Sequence, residues 1–139
     1  MPTMGKVFLG VDPGSYWGWA FTKDGEQQAY GSGRMIGLKD FETQIAVLSK
    51  DVAGIITCRA MGPHAQVTRY HAAMAGVVEL YCEKNDIPYF DIADSTMRKV
   101  VIGKGNAKKP EVMDFLKIDN EHAADAMVAA LYIAKLHTE

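Results

Sequence analysis

Asp12, His122 and Asp125 are the residues of this chain whose types and positions can do chemistry. Asp12 sits near the end of Lys6-Val7-Phe8-Leu9-Gly10-Val11-Asp12-Pro13-Gly14-Ser15. Val7 to Val11 is apolar and partly β-branched, as suits a strand covered on both faces. Pro13-Gly14 then forces a turn. A carboxylate fixed at the end of a core strand has few rotamers to lose, so it serves well as a metal ligand or general base. The same letters also fit an ordinary Asp-Pro-Gly turn. His122 and Asp125 stand three apart near the start of the last expected helix and share one of its faces. Ala123, Ala124, Ala126, Ala129 and Ala130 let that helix approach a sheet closely. If it packs there, Asp125 comes near Asp12. Hard ligands converging at the ends of core elements suit a divalent cation. Two such ions stabilise the attacking and leaving oxygens of an in-line phosphodiester displacement. Without Asp12, the simpler reading of His122 and Asp125 is a polar first helical turn, with Asp125 favoured by the helix dipole.

The elements that must position these groups follow in order. Tyr16 to Thr22 reads as a second strand, and Asp24-Gly25 as a hairpin turn. Gln27 to Met35 is a more polar third strand near an edge, where Gly31 and Gly33 suggest a bulge or close packing. Leu38, Phe41, Ile45 and Leu48 fall at helical spacing and predict a helix over 39–50. Ala53 to Cys58 is a short buried strand. A loop follows, then a long helix over 66–84, where Ala72, Ala73, Ala75 and Gly76 make one side small enough for close packing. Ile87 to Ile92 is a fifth strand. Asp94 or Ser95 is expected to cap a short helix ending near Val101. Gly103-Lys104-Gly105-Asn106 is a basic loop, Pro110 opens another helix, and Asp119 or Asn120 caps the last one. Three strands joined by tight turns, then strands alternating with helices, make a mixed sheet with helices on its faces. The RNase H-like and actin-like ATPase folds both begin this way. The ATPase fold needs two such domains around a nucleotide, and 139 residues suffice for one.

Composition bounds the rest. Hydrophobic residues make up 48% and charged ones 23%, an ordinary globular mixture. A net charge of −2 means that any nucleic-acid surface is local. Cys58 and Cys82 match no zinc or redox spacing, which points to a reducing compartment. The first residues lack a signal-peptide pattern. The most apolar run, Ala123 to Leu136, is too short to span a bilayer. No repeat or low-complexity tract is present.

Three segments, taken together, resemble the RuvC family of Holliday-junction resolvases, particularly its short phage-type members. Gly10-Val11-Asp12-Pro13-Gly14-Ser15 is similar to the family's first motif. Val101-Ile102-Gly103-Lys104-Gly105-Asn106-Ala107-Lys108-Lys109 is similar to its glycine-rich basic segment. His122-Ala123-Ala124-Asp125-Ala126 is similar to the terminal acidic motif, which carries His at its first position in some members. The likeness runs from about Lys6 to Ala134. It implies an RNase H-like α/β fold of five strands, the first three antiparallel, in a single domain over 1–139. It also implies hydrolysis of DNA phosphodiesters with two Mg²⁺ or Mn²⁺ ions per site. Asp12 would bridge the metals, and Asp125 and His122 would complete one ion's shell. A cytoplasmic location, in a bacterium or a phage-infected host, goes with it.

The pattern breaks at the fourth strand. Its end should carry a Glu, and the aligned residue is Cys58. Thiolate is a soft, poor ligand for Mg²⁺. No acid nearby in the sequence substitutes: Asp51 lies at the wrong end of that strand, Glu79 lies within the next helix, and Glu121 points about 100° away from His122. Three readings stand open. The Glu has been replaced, naturally or by engineering, and the second metal site is weakened. Alternatively Cys58, His122, Asp12 and Asp125 form a softer site able to hold Zn²⁺. Or Cys58 is a plain buried strand residue.

Between Thr96 and Lys117 six basic residues (Arg98, Lys99, Lys104, Lys108, Lys109, Lys117) outnumber two acids, a plausible phosphate-binding patch. By resemblance, Arg98 and Lys109 fall near the scissile phosphate, where Lys109 would neutralise transition-state charge. Arg59, His64 and Arg69 form a second contact segment. Met61 stands where relatives often place an aromatic that wedges open the junction. The implied partner is branched DNA, as four-way junctions or as forks and flaps, met by a homodimer whose two sites match the junction's two-fold symmetry. Tyr70, Met74, Val77 and Tyr81 form a stripe that suits either that interface or the core. A non-cleaving binder of branched DNA is the alternative function. On the resemblance, Cys58→Glu is expected to create or increase Mg²⁺-dependent junction cleavage; equal cleavage by both forms would overturn that expectation.

Overall fold

A computed structural model describes residues 5–59 and 69–138. Strands β1 (Val7–Asp12), β2 (Tyr16–Lys23) and β3 (Glu26–Arg34) come first. Helix α1 (Leu38–Leu48), strand β4 (Gly54–Arg59), helix α2 (Arg69–Lys84) and strand β5 (Tyr89–Ala93) follow. Helices α3 (Asp94–Val101), α4 (Lys109–Leu116) and α5 (Glu121–Thr138) complete the order. The sheet runs β3-β2-β1-β4-β5. Its first three strands are antiparallel, and β4 and β5 lie parallel to β1. This is the expected mixed sheet, with β3 at an edge. The β2–β3 turn has positive φ at Asp24 (53°) and Gly25 (82°), which gives it the twist a two-residue hairpin needs.

Strand alternation decides which residues face the site. On β1, Leu9 and Val11 pack with Phe41, Ile45, Met74 and Val78 on the α1–α2 side. Phe8 packs on the opposite side with α5. Gly10 shares that side, and Asp12 follows it there by the period of two. On β2, Trp17, Trp19 and Phe21 join the α1–α2 core. Gly18, Ala20 and Thr22 face α5, and the Thr22 hydroxyl donates to the Ala130 carbonyl at 3.4 Å. On β4, Ile56 and Cys58 face α5.

Helix α5 lies directly on the backbone of β1 and β2. A Cβ at Gly10 would collide with the Ala126 carbonyl oxygen, and one at Gly18 with the His122 carbonyl. Ala123, Ala126 and Ala130 present no bulk on the helix side and are fully buried. Only the glycine–alanine pairing lets helix and sheet come this close, and it brings the first turn of α5 to the end of β1.

Several local expectations need correction. The N-cap of α3 is Ala93, without a side-chain capping bond, so neither Asp94 nor Ser95 caps it. Of the small residues of α2, Ala73 and Ala75 are half-buried, whereas Ala72 and Gly76 are exposed, with open space beside Gly76. In the stripe on α2, Met74 is buried, Val77 and Tyr81 pack against the core, and Tyr70 is exposed. Of the two alternatives for Gly31 and Gly33, close packing is the one realised, under the Trp19 and Trp17 rings, while the bulge lies opposite Phe21 and Thr22. Gly10→Ala and Gly18→Ala are each expected to cost about 3 kcal/mol or more of stability in urea unfolding, since a backbone cannot yield as a side chain does. Gly76→Ala, in open space within a helix, should gain about 0.5–1 kcal/mol.

Candidate active site

The C-terminal end of β1, the start of α3 and the first turn of α5 surround a cleft of about 470 Å³. Asp12, Tyr16, His71, Asp94, Arg98, Lys109, Glu121, His122 and Asp125 line it. The start of α5 is fixed by Asn120, whose side-chain oxygen accepts from the backbone N–H groups of His122 (3.0 Å) and Ala123 (2.9 Å). This is the cap that the sequence predicts, and it orients the turn carrying the imidazole.

His122 lies between two carboxylates. Its Nδ1 is 3.7 Å from Asp12 Oδ2 and its Nε2 is 3.3 Å from Glu121 Oε1. The ring stacks on Tyr16 with centroids 6.3 Å apart. The Asp12 carboxylate raises the His122 pKa by more than burial lowers it. Asp125 is 8% exposed and takes a 3.0 Å ion pair from Arg98, which also donates to the Ala107 carbonyl at 3.2 Å. Burial and then the Asp12 charge raise the Asp125 pKa, against the pull of Arg98.

Position 58 is at the centre of this arrangement. Val11 pairs with Thr57, so Asp12 and Cys58 follow side by side at the strand ends. The thiol donates to the Asp125 carbonyl at 3.6 Å. Its pKa is pushed well above the ordinary thiol value, by burial first and then by Asp12, Asp94 and Asp125. Cys58 is itself buried, on the α5 side of the sheet.

In sequence the chain is similar to RuvC proteins of Chlamydia, each a crossover junction endodeoxyribonuclease. It is 38% identical over 71 residues to that of Chlamydia trachomatis serovar L2, covering 44% of this chain and 42% of that one. It is 27% identical over an alignment of 159 residues to that of Chlamydia muridarum, covering 96% and 94%. The stronger match thus spans less than half of its relative's length. No family model matches the chain. In structure, Thermus thermophilus RuvC superposes with a TM-score of 0.73 at 17% identity over 95% of this chain and 97% of that one. The same enzyme in complex with a Holliday junction substrate gives 0.72 at 16%, over 96% and 97%. The fowlpox virus Holliday junction resolvase gives 0.60 at 12%, over 94% and 99%. The chain is similar to RuvC proteins in sequence and shares the fold of the solved RuvC structures. Its fold is RNase H-like.

Of the residues singled out from the RuvC likeness, Asp12, His122, Asp125, Arg98 and Lys109 line one cleft. Lys109 Nζ is 3.5 Å from Glu121, at the rim. Lys104 lies farther out, paired with Glu111 at 3.0 Å, and the Lys108 backbone N–H donates to the same carboxylate. Arg59 is exposed and 3.9 Å from Asp91. Met61 and His64 lie outside the described residues, as does the Arg69 side chain. Among the described residues, no three His, Cys, Asp or Glu side chains are already arranged to hold a metal.

Two cleft carboxylates escape the sequence reading. Glu121 turns to the rim, where it meets both His122 and Lys109 instead of pointing away. Asp94, expected as a cap, faces Asp12 and Asp125. Burial, then Asp12 and then Asp125 raise its pKa to about 7, with Arg98 and a hydrogen bond to Cys58 opposing. No local pattern flags Asp94; the signal was the β4–β5 adjacency. Between the ordinary carboxylate pKa and about 7, the folded protein keeps a proton that the unfolded chain has released. Asp94 therefore costs stability increasingly as pH rises through that window. Asp94→Asn is expected to raise the metal-free Tm by several degrees at about pH 8 and leave it nearly unchanged at about pH 4, as read by calorimetry.

Proposed function

We propose that this protein is a structure-selective DNA endonuclease that resolves Holliday junctions by divalent-metal-dependent phosphodiester hydrolysis. The observation that carries this reading is the convergence of Asp12, His122 and Asp125 in one cleft of a RuvC-like fold. The relatives' activity as crossover junction endodeoxyribonucleases supports it, as does the solved RuvC complex with a junction substrate.

The donor set fits a hard cation. Carboxylates and one imidazole converge where Arg98 supplies the nearest compensating charge, and oxygen donors suit Mg²⁺ or Mn²⁺. Asp12, Asp125 and His122 would hold it. Such an ion, when bound, activates water and offsets charge on the phosphate. The chain's own groups do the positioning. Arg98 fixes the Asp125 carboxylate and favours its ionised form. Lys109, leaving Glu121, neutralises a phosphate oxygen as negative charge develops. Arg59, Lys104 and Lys108 add backbone-phosphate contacts around the rim, and the sequence offers Met61 and Arg69 as further DNA contacts.

Two symmetric cuts need two sites, so the active form is a homodimer. The exposed outer side of α2, with Tyr70, Ala72, Gly76 and Leu80, is surface that a second copy can cover. The bacterial relatives support a cytoplasmic setting. Among the described residues, no helix is long and apolar enough to cross a membrane.

Cys58 favours a second reading, a branched-DNA binder whose cleavage is weak or lost. A labelled four-way junction decides between them. Cleavage in Mg²⁺ or Mn²⁺ that falls about 10²-fold or more in Asp12→Asn or Asp125→Asn, with junction binding in EDTA retained, is the expected result. Tight binding without cleavage in either metal establishes the second reading. Sedimentation at micromolar concentration should show a dimer, and a monomer would count against paired sites.

A further inference from the structure

We infer that Asp94 is a third carboxylate ligand of the cation site, standing at the end of β5 in place of the acid that β4 lacks. This rests on the nuclease reading and deepens it.

The argument begins with strand order. β5 lies parallel and adjacent to β4, and Arg59 pairs with Ala93. Asp94 is the next residue, so it emerges at the same edge of the sheet as Cys58 and Asp12. Alternation agrees: Phe90 and Ile92 pack on the α5 side of the sheet, and Asp94 follows on that side. The carboxylate opens into the cleft beside Asp12, His122 and Asp125.

Its local duties do not explain it. Asp94 begins α3, yet α3 is capped by no side chain. Its hydrogen bond is to the Cys58 thiol, a neutral donor too weak to offset the burial of a charge. The cation nearest the cluster, Arg98, gives its short contact to Asp125 instead. Three carboxylates therefore share one guanidinium in a half-enclosed cleft. Such a surplus of hard oxygen donors is compensated by a divalent ion, and a third anionic ligand raises the charge count that holds one. Cys58 offers soft sulfur, not the hard oxygen donor that such an ion takes. The β5 position reaches the same cleft from one strand farther along.

The consequence for position 58 differs from the expectation based on sequence alone. A Glu introduced there is redundant while Asp94 is present and becomes useful once Asp94 is removed.

Mn²⁺ titration of the full-length protein, followed by calorimetry and by electron paramagnetic resonance of the free ion, tests this without any turnover. Asp94→Asn, with folding confirmed by circular dichroism, should weaken Mn²⁺ binding about tenfold or more. Asp94→Glu should recover part of the loss, and Cys58→Glu in the Asp94→Asn background should recover it too. A merely structural Asp94 would leave Mn²⁺ affinity unchanged. If Asp94→Asn binds Mn²⁺ like the unaltered protein while Asp12→Asn does not, the inference falls and the nuclease reading stands. If the unaltered protein takes up no Mn²⁺, both fall together.

Discussion

The contact of α5 with the β1–β2 backbone is the constraint on which the rest of the molecule depends. A helix on a sheet ordinarily stands off by the thickness of two layers of side chains. Here Gly10 and Gly18 remove the sheet's layer, and Ala123, Ala126 and Ala130 thin the helix's. The remaining gap admits no side chain. That closeness fixes the helix in register along the strand, so the imidazole and carboxylate of its first turns arrive beside Asp12 without any long flexible reach. Short side chains on rigid elements keep their geometry better than long ones on loops.

The same closeness creates an electrostatic problem. Asp12, Asp94 and Asp125 meet in a cleft where burial already disfavours their charges, and the one short compensating contact is Arg98 to Asp125. Structure that opposes its own stability in this way is common where function requires a strained charge set. His122, placed between Asp12 and Glu121, belongs to the same network: its pKa rises because the acids around it favour the imidazolium. At the rim Lys109 and Lys104 are occupied by Glu121 and Glu111. The basic segment is thus less open to an anion than its charge count suggests, because any phosphate bound there would have to displace these acids.

Much of this was legible in the letters. The apolar run before Asp12, the Asp24-Gly25 hairpin, the helical spacing of Phe41 and Ile45, and the Asn120 cap are local signals, and each describes the element that formed. The alanine-rich face of α5 announced a close approach. Other features were misread because local pattern and tertiary setting disagree. Asp94 has the chemistry of a cap, yet Ala93 holds the cap position and the Asp94 carboxylate turns into the cleft. The α2 stripe suited either a partner or the core, and Met74, Val77 and Tyr81 take the core. Of the small residues on α2, Ala72 and Gly76 face outward.

The sequence by itself determined the order of elements, the face of each strand and the identity of the leading and terminal acids, because periodicity and turn chemistry act over a few residues. Only the tertiary structure decided that β5 lies against β4, that Asp94 joins acids far from it in the chain, and that Glu121 bends to the rim. Those relations arise from strand order and helix docking, which are settled by the packing of distant segments and leave no trace in the spacing of neighbouring residues.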